Sequence, residues 1–354
     1  MSENPPDAGD YPGLAGDERP IPEGHEFVLL LTHDVDRPYK TYQAPYYALR
    51  DGENRRHHLA SLLPWREPYW QFDTVMAVEE SLGVRSAFYF LQEQRIWERP
   101  AREWLSPRAW QLFGGRYSLS DPEIRAVVET LDDGGWEVGL HGSYESPRDR
   151  DRLRTELAAV EDALGDEAVG GRQHYLNLAV PETWRHYRAL GLRYDTSLGS
   201  SEEVGFAHGY GLKRPFDDEF VVFPLTIMEN ALPDPGDSFE TAWTVCDDLL
   251  EEAARNDAVM SVLWHPRVFS VDDFPGYGRL YRRLVQSALD RGAWVGSPAE
   301  FYEAVDLGQP GDAAEPRESD QRSGPLCRRL RPPRRQSTDR GSERWRTRSG
   351  AGCR

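Results

Sequence analysis

The sequence predicts an α/β fold, a distorted (β/α)7–8 barrel of parallel strands, with its reactive groups at the C-terminal strand ends. Three observations support this. Strand-like and helix-like segments alternate along the body, the pattern of a parallel sheet covered by helices. The 354 residues suit one large α/β barrel. Polar and titratable residues fall at the C-terminal ends of the predicted strands, which meet at one mouth in such a barrel.

Strands are expected over 26–32, 85–91, 137–142, 171–177, 192–196, 220–225, 259–264 and 293–296. Helices are expected over 70–82, 121–133, 148–164, 181–190, 239–255, 277–291 and 298–305. The helix over 121–133 opens with Ser120-Asp121-Pro122-Glu123, an N-cap followed by a proline start. The helix over 148–164 runs into Gly165, a usual stop. Eight strand–helix units would close the barrel, and seven would leave it distorted or open. Gly114-Gly115 and Gly170-Gly171 read as turns, since neither belongs to a GxGxxG or P-loop pattern.

Composition narrows the class of function. The net charge is -18, with Lys only at positions 40 and 213, so Arg supplies nearly all the cations. An acidic, Lys-poor surface suits the high-salt cytoplasm of a halophile, where screening removes self-repulsion. It disfavours nucleic-acid binding by the body. No apolar run approaches the roughly 20 residues that span a bilayer. The polar, acidic start is unlike a signal peptide, so a cytoplasmic location is expected. Cys246, Cys327 and Cys353 lie far apart and form no CxxC, which excludes a disulfide framework or thiolate zinc site.

The chain divides into a flexible acidic N-terminus (1–24), a barrel domain (25–308) and a tail (309–354). Residues 312–354 hold 12 Arg against 6 acids and lack apolar periodicity, so the tail is expected to be disordered and receives no function. Two long segments, 39–69 and 92–118, interrupt the alternation and are rich in Tyr, Trp and Arg. Such loops serve as lids or substrate walls, and their aromatic rings suit either sugar faces or small satellite cores.

The chemistry concentrates on Thr32-His33-Asp34-Val35-Asp36. Residues i and i+2 of a strand share a face, so Asp34 and Asp36 point the same way. Two close carboxylates repel unless a metal or proton is shared. Asp36 and His141 are the first metal candidates, a hard oxygen with a neutral imidazole, suited to Zn foremost and also to Co, Mn or Fe. Glu145, four residues after His141, is the expected third ligand if the loop turns helically, with His33 and His174 behind it. Asp34 suits a general base and His265 the acid that protonates a leaving amine. Arg172 would hold Asp34 ionised, and Asp195 would orient His265 or Arg172. His57 and His58 read as surface residues, His186 and His208 as structural. Ser143 lacks the GxSxG elbow of a nucleophile.

In this order the motifs resemble the polysaccharide deacetylase family, carbohydrate esterase family four, over about residues 26–305, and their composition resembles a haloarchaeal-type member. Thr32-His33-Asp34-Val35-Asp36 is similar to the family's Thr-Phe-Asp-Asp, with the acids spaced by one residue, which leaves base and ligand roles exchangeable. His141-Gly142-Ser143-Tyr144-Glu145 resembles the second motif, with Glu145 where the family has its second metal histidine. Arg172-Gln173-His174-Tyr175 is similar to Arg-x-Pro-Tyr, His174 standing in the proline's place. Tyr194-Asp195-Thr196-Ser197 falls where the fourth motif belongs, and Leu263-Trp264-His265 matches the closing Leu-x-His. The resemblance implies a distorted barrel and metal-dependent removal of acetyl groups from sugars. It implies Asp34 as base, Asp36 and His141 as ligands, Arg172 as tuner and His265 as acid.

The expected function is therefore a divalent-metal hydrolase acting on an N-acetylated sugar or glycan precursor. Two rivals stand beside it: an amidase on a non-sugar C–N bond, as in allantoinase-like relatives, and a glycan-binding barrel that lost its metal. Retention of Asp34 and His265 argues against the last, since binding alone needs neither base nor acid. The partner is a carbohydrate or other small molecule, and the oligomeric state is open.

Overall fold

A computed structural model of the chain describes residues 11, 14, 16–40, 43–50, 55–63, 66–216, 218–307 and 327–328. The first strand, β1 (Phe27–Val35), is buried along its whole length, and its side chains alternate between two environments. Phe27, Leu29, Leu31 and Val35 pack outward into a large core shared with the helices. Val28 and Leu30 point into a smaller inner core with Ala87, Tyr89, Val221 and Val259. The inward row continues through Thr32 and Asp34, so the barrel interior changes from apolar to polar along one strand. That gradient places the polar groups at one end.

Eight further strands follow: β2 (Ala87–Leu91), β3 (Glu137–Gly142), β4 (Gly170–Gln173), β5 (Tyr194–Asp195), β6 (Val221–Val222), β7 (Leu225–Met228), β8 (Val259–Leu263) and β9 (Ala293–Gly296). Their order across the sheet is β6-β5-β4-β3-β2-β1-β8-β7, and every pairing along it is parallel. β9 pairs with Phe27–Leu30 at the start of β1, and β2 with Thr32–Val35 further along. The two end strands of this path, β6 and β7, are separated in the chain only by Phe223-Pro224. So short a link forces the sheet to curl until its ends nearly meet. The result is the distorted parallel barrel expected from the sequence.

Ten helices are placed in the described residues: α1 (Ala44–Arg50), α2 (Arg55–Ala60), α3 (Phe72–Leu82), α4 (Pro107–Phe113), α5 (Pro122–Asp133), α6 (Arg150–Leu164), α7 (Glu182–Ala189), α8 (Phe239–Arg255), α9 (Tyr277–Asp290) and α10 (Pro298–Ala304). The Asp149 side chain caps α6 through the Arg152 amide at 3.0 Å, and Ser297 caps α10 through the Glu300 amide at 3.1 Å. α6 stops at Gly165 in the left-handed region, φ 80°. Asp121 stands at the N-cap of α5, but its carboxylate accepts from the Ser118 amide at 2.8 Å instead. Phe301 and Tyr302 of α10 join the inner core and plug the barrel at the end opposite the polar groups. α1, α2 and α4 lie within the two long aromatic segments.

Four expectations change. The strand expected over 220–225 splits into β6 and β7 at Pro224, which has no N–H for the ladder. The strand expected over 171–177 ends at Gln173, because Tyr175 (φ 60°) and Leu176 (φ 51°) turn the chain through the left-handed region. Gly170-Gly171 is strand, not turn. A Cβ on Gly170 would sit 2.0 Å from the Tyr194 ring, and one on Gly171 2.2 Å from the Leu140 carbonyl, so close strand packing requires both glycines. Residues 16–24, expected to be flexible, bind the barrel: Asp17 accepts from the Gly211 amide at 2.7 Å and Glu18 bridges Leu212. Apart from Cys327–Arg328, which pair antiparallel with Val204–Gly205, the Arg-rich tail lies outside the described residues. Among the described residues no helix is long and apolar enough to cross a membrane.

Candidate functional site

The inward row of β1 ends at Asp34, with Asp36 just beyond it. Arg172, from β4, crosses the interior: its Nη1 donates to Asp34 Oδ1 at 2.8 Å and to Thr32 Oγ1 at 2.9 Å, and its Nε to the Thr196 carbonyl at 2.9 Å. Burial works against the Asp34 carboxylate, but Arg172, helped by His141 and His265, holds it below the usual carboxylate range. A buried ionised carboxylate with one oxygen committed to arginine keeps the other as a proton acceptor.

Asp36 meets a different set. His141 Nε2, from the end of β3, lies 3.2 Å from Asp36 Oδ1, and His174 Nε2 lies 3.5 Å from the same oxygen. The His141 ring is oriented from behind, with Nδ1 3.0 Å from the Arg172 carbonyl. That carbonyl can only accept, so Nδ1 donates to it and Nε2 is turned toward the Asp36 carboxylate. Burial pushes His174 down to about 4, reinforced by Arg116, whose Nη2 lies 3.4 Å from His174 Nε2, so this ring is neutral as a metal ligand must be. The donor atoms of Asp36, His141 and His174 all lie within 4.8 Å of one another. One carboxylate and two imidazoles on one side form a donor set that fits an open divalent-metal site. His141 also lies 3.7 Å from Asp34 Oδ2, so the base and the donor set share one floor.

The third element comes from across the mouth. His265 ends the β8 segment, and its Nδ1 lies 2.6 Å from Oε1 of Glu229, a fully buried residue that follows β7. Its Nε2 faces Asp36 Oδ2 at 3.4 Å. Burial alone would disfavour the imidazolium, yet Glu229 and Asp36 outweigh it and push His265 up to about 10. At neutral pH the site thus holds an ionised carboxylate and a protonated imidazole, a base and an acid in opposite states.

Three sequence-derived candidates stand elsewhere. Glu145 does not reach Asp36 and His141. Its carboxylate is taken by Arg99 at 2.7 Å and by Arg152 at 3.1 Å, because the loop after β3 does not turn helically and its i+4 side chain leaves the mouth. The imidazole that joins Asp36 and His141 is His174. Asp195 touches neither His265 nor the Arg172 guanidinium; it accepts from the Ser197 amide at 2.9 Å and from Trp184 Nε1 at 3.1 Å. Tyr194 faces the inner core, so Asp195, one residue on, faces the helices. His33 follows the same rule: it turns outward to Glu79 at 2.9 Å and to the Trp264 carbonyl. His57 and His58 are not surface residues. With Asp273 they surround the buried Lys40 ammonium, which lies 2.9 Å from His58 Nδ1 and 3.4 Å from His57 Nε2. That second cluster of potential metal ligands already holds a cation.

Sequence reasoning missed Glu229, Arg116 and Arg267. Glu229 obeys the rule that found the others, an acid just past a strand end, and recognising the break at Pro224 would have exposed it. Arg116 donates through Nη1 to the Asp36 carbonyl at 3.0 Å, and Arg267 Nη1 lies 3.2 Å from Asp36 Oδ2. Nothing in their local pattern marks either arginine.

No protein-family model matches the chain, and no curated protein matches it in sequence. Solved structures share its fold. A candidate polysaccharide deacetylase from Mycobacterium smegmatis superposes with TM-score 0.52 at 16% identity, covering 86% of this chain and 100% of that one. Puue allantoinase gives TM-score 0.54 at 13% identity, covering 88% and 100%. A probable polysaccharide deacetylase from Pseudomonas aeruginosa PAO1 gives 0.53 at 12%, covering 87% and 100%.

Proposed function

We propose that this chain is a metal-dependent hydrolase of non-peptide C–N bonds that removes an acetyl or similar acyl group from an N-acylated sugar. One observation carries the reading: Asp34 with Arg172, Asp36 with His141 and His174, and His265 with Glu229 converge on one mouth. Asp36, His141 and His174 would hold a divalent ion, zinc by preference, which would supply acidification of water and polarisation of the acyl carbonyl.

The chain's own residues supply the proton transfers. Asp34, held ionised by Arg172, accepts a proton from the attacking water as its oxygen bonds to the acyl carbon. His265, held protonated by Glu229, delivers its Nε2 proton to the amide nitrogen as the C–N bond breaks. The products are a carboxylic acid and an amine, and Asp34 and His265 exchange protons with solvent to restore the site. The sugar is carried over from the named deacetylases of the same fold, and fold alone does not fix a substrate. The allantoinase neighbour supports a second reading, hydrolysis of a non-sugar C–N bond by the same groups.

The test is acetate release from N-acetylated sugars, before and after chelation, by the wild type and by Asp34→Asn. Release that chelation stops and Asp34→Asn lowers at least 100-fold supports the reading. Metal binding without release from sugars, but with turnover of a ureide or amide, moves the assignment to the second reading.

A further inference from the structure

A pocket over the site is lined by Asp34, Asp36 and His265 together with Arg37 and Arg267. The charges around it do not balance. Asp34 is matched by Arg172, Asp36 by Arg267, and His265 by Glu229. Arg37 and Arg116 are left; Arg116 acts on the buried carboxylate of Glu93, which lies 3.9 Å from His174 Nδ1.

The two guanidiniums sit side by side, docked on consecutive carbonyls: Arg37 Nη2 donates to Gln111 O and Arg116 Nε to Leu112 O at 2.7 Å. Among the described residues Arg37 forms no ion pair and no second hydrogen bond, so its Nε and Nη1 are uncommitted. A divalent ion on the floor would add further positive charge at the same mouth.

We propose that Arg37 anchors an anionic group carried by the substrate, a phosphate or a carboxylate attached to the acylated sugar. The inference rests on the hydrolase reading for the sugar, but not for the anion. Guanidinium is the side chain that pairs with both groups through two parallel N–H bonds. An acidic envelope around a locally cationic mouth repels anions elsewhere and concentrates them here. A purely structural Arg37, holding the 107–113 helix by its Gln111 carbonyl, would need only one of its N–H groups. Arg267 lines the same pocket and pairs with Asp36 at 3.2 Å.

The test is calorimetric binding and acetate release with three probes: N-acetylglucosamine, its 1-phosphate, and an N-acetylhexosaminuronic acid. The metal-loaded full chain, Arg37→Gln and Arg37→Lys are compared. Wild type should bind one charged probe at least tenfold tighter than the neutral sugar. The preference should fall toward unity in Arg37→Gln and return in part in Arg37→Lys. Preference for the phosphate identifies a phosphorylated precursor; preference for the uronate identifies an acidic glycan. Equal binding of all three probes, or a preference that survives Arg37→Gln, overturns the proposal. Acetate release without charge preference leaves the hydrolase standing and removes the anion site. Arg37-dependent binding of a charged probe without release from any probe does the reverse.

Discussion

His265 Nδ1 and Glu229 Oε1 lie 2.6 Å apart in the closed interior, and the Glu229 carboxylate raises the pKa of the imidazole that faces the site. Neither residue's neighbours in sequence announce the pair; it forms because β7 and β8 lie side by side. Glu229→Gln keeps a hydrogen-bond acceptor and removes the charge, so the His265 pKa drops from about 10 toward that of a free imidazole. The alkaline limb of the kcat profile should move to lower pH, and kcat at pH 8 should fall roughly 10- to 100-fold. An unmoved limb would separate His265 from the acid step.

The metal donor set separates His174 from Glu145. His141→Ala and His174→Ala should each abolish stoichiometric zinc binding measured by mass spectrometry of the purified protein. Glu145→Ala should retain it, because that carboxylate is engaged by Arg99 and Arg152. Loss of metal in Glu145→Ala with retention in His174→Ala would restore the spacing-based expectation.

Glu156 carries a pH signature independent of catalysis. The residue is 4% exposed, and burial pushes its carboxyl up from 4.5 to about 7, against the hydrogen bonds from Ser143. The folded state therefore holds a proton that the unfolded chain releases between those values. Its contribution to stability is full below pH 4.5 and is lost as pH rises to about 7, on the order of 1–3 kcal/mol. Glu156→Gln should flatten this part of the curve and raise the denaturation midpoint at pH 8. A variant with an unchanged slope in urea melts between pH 5 and 8 would remove Glu156 as its source.

Salt should matter more than for an ordinary enzyme. The chain's two lysines, Lys40 and Lys213, are both buried, so no lysine offsets the acids at the surface. We propose that screening is needed to relieve the repulsion, as in a halophile. The thermal midpoint should rise steadily from 0.1 M to 2 M KCl, at about 0.1 M being the point where the Debye length is still about 10 Å. A midpoint independent of KCl would reject a halophilic adaptation.

Local pattern made much of the architecture legible. α8 occupies the expected residues 239–255, because Ser238 caps it and an apolar stripe through Ala242, Val245, Cys246 and Leu249 repeats at helical spacing. β3 likewise occupies the expected 137–142. Asp34, Asp36, His141, Arg172 and His265 were legible as site candidates, because period-2 alternation and strand ends say which side chains face the mouth. The errors began where the chain leaves a regular element. Glu145 was placed by a helical spacing in a loop that is not helical, and Asp195 by proximity to a strand end without regard to which face it presents.

What the amino-acid order determined by itself is therefore the alternation of elements, the apolar-to-polar gradient along β1 and the residue types brought to one end of the barrel. These are short-range properties of backbone period and hydrophobic burial, readable from residues a few positions apart. Tertiary structure alone decided the partners: His174 beside Asp36 and His141, Glu229 behind His265, and Arg37 without an ion pair among the described residues. Protonation and charge balance at the mouth depend on groups within a few ångströms in space but distant along the chain. Only the curl that brings β6 and β7 to the two ends of one sheet sets those distances.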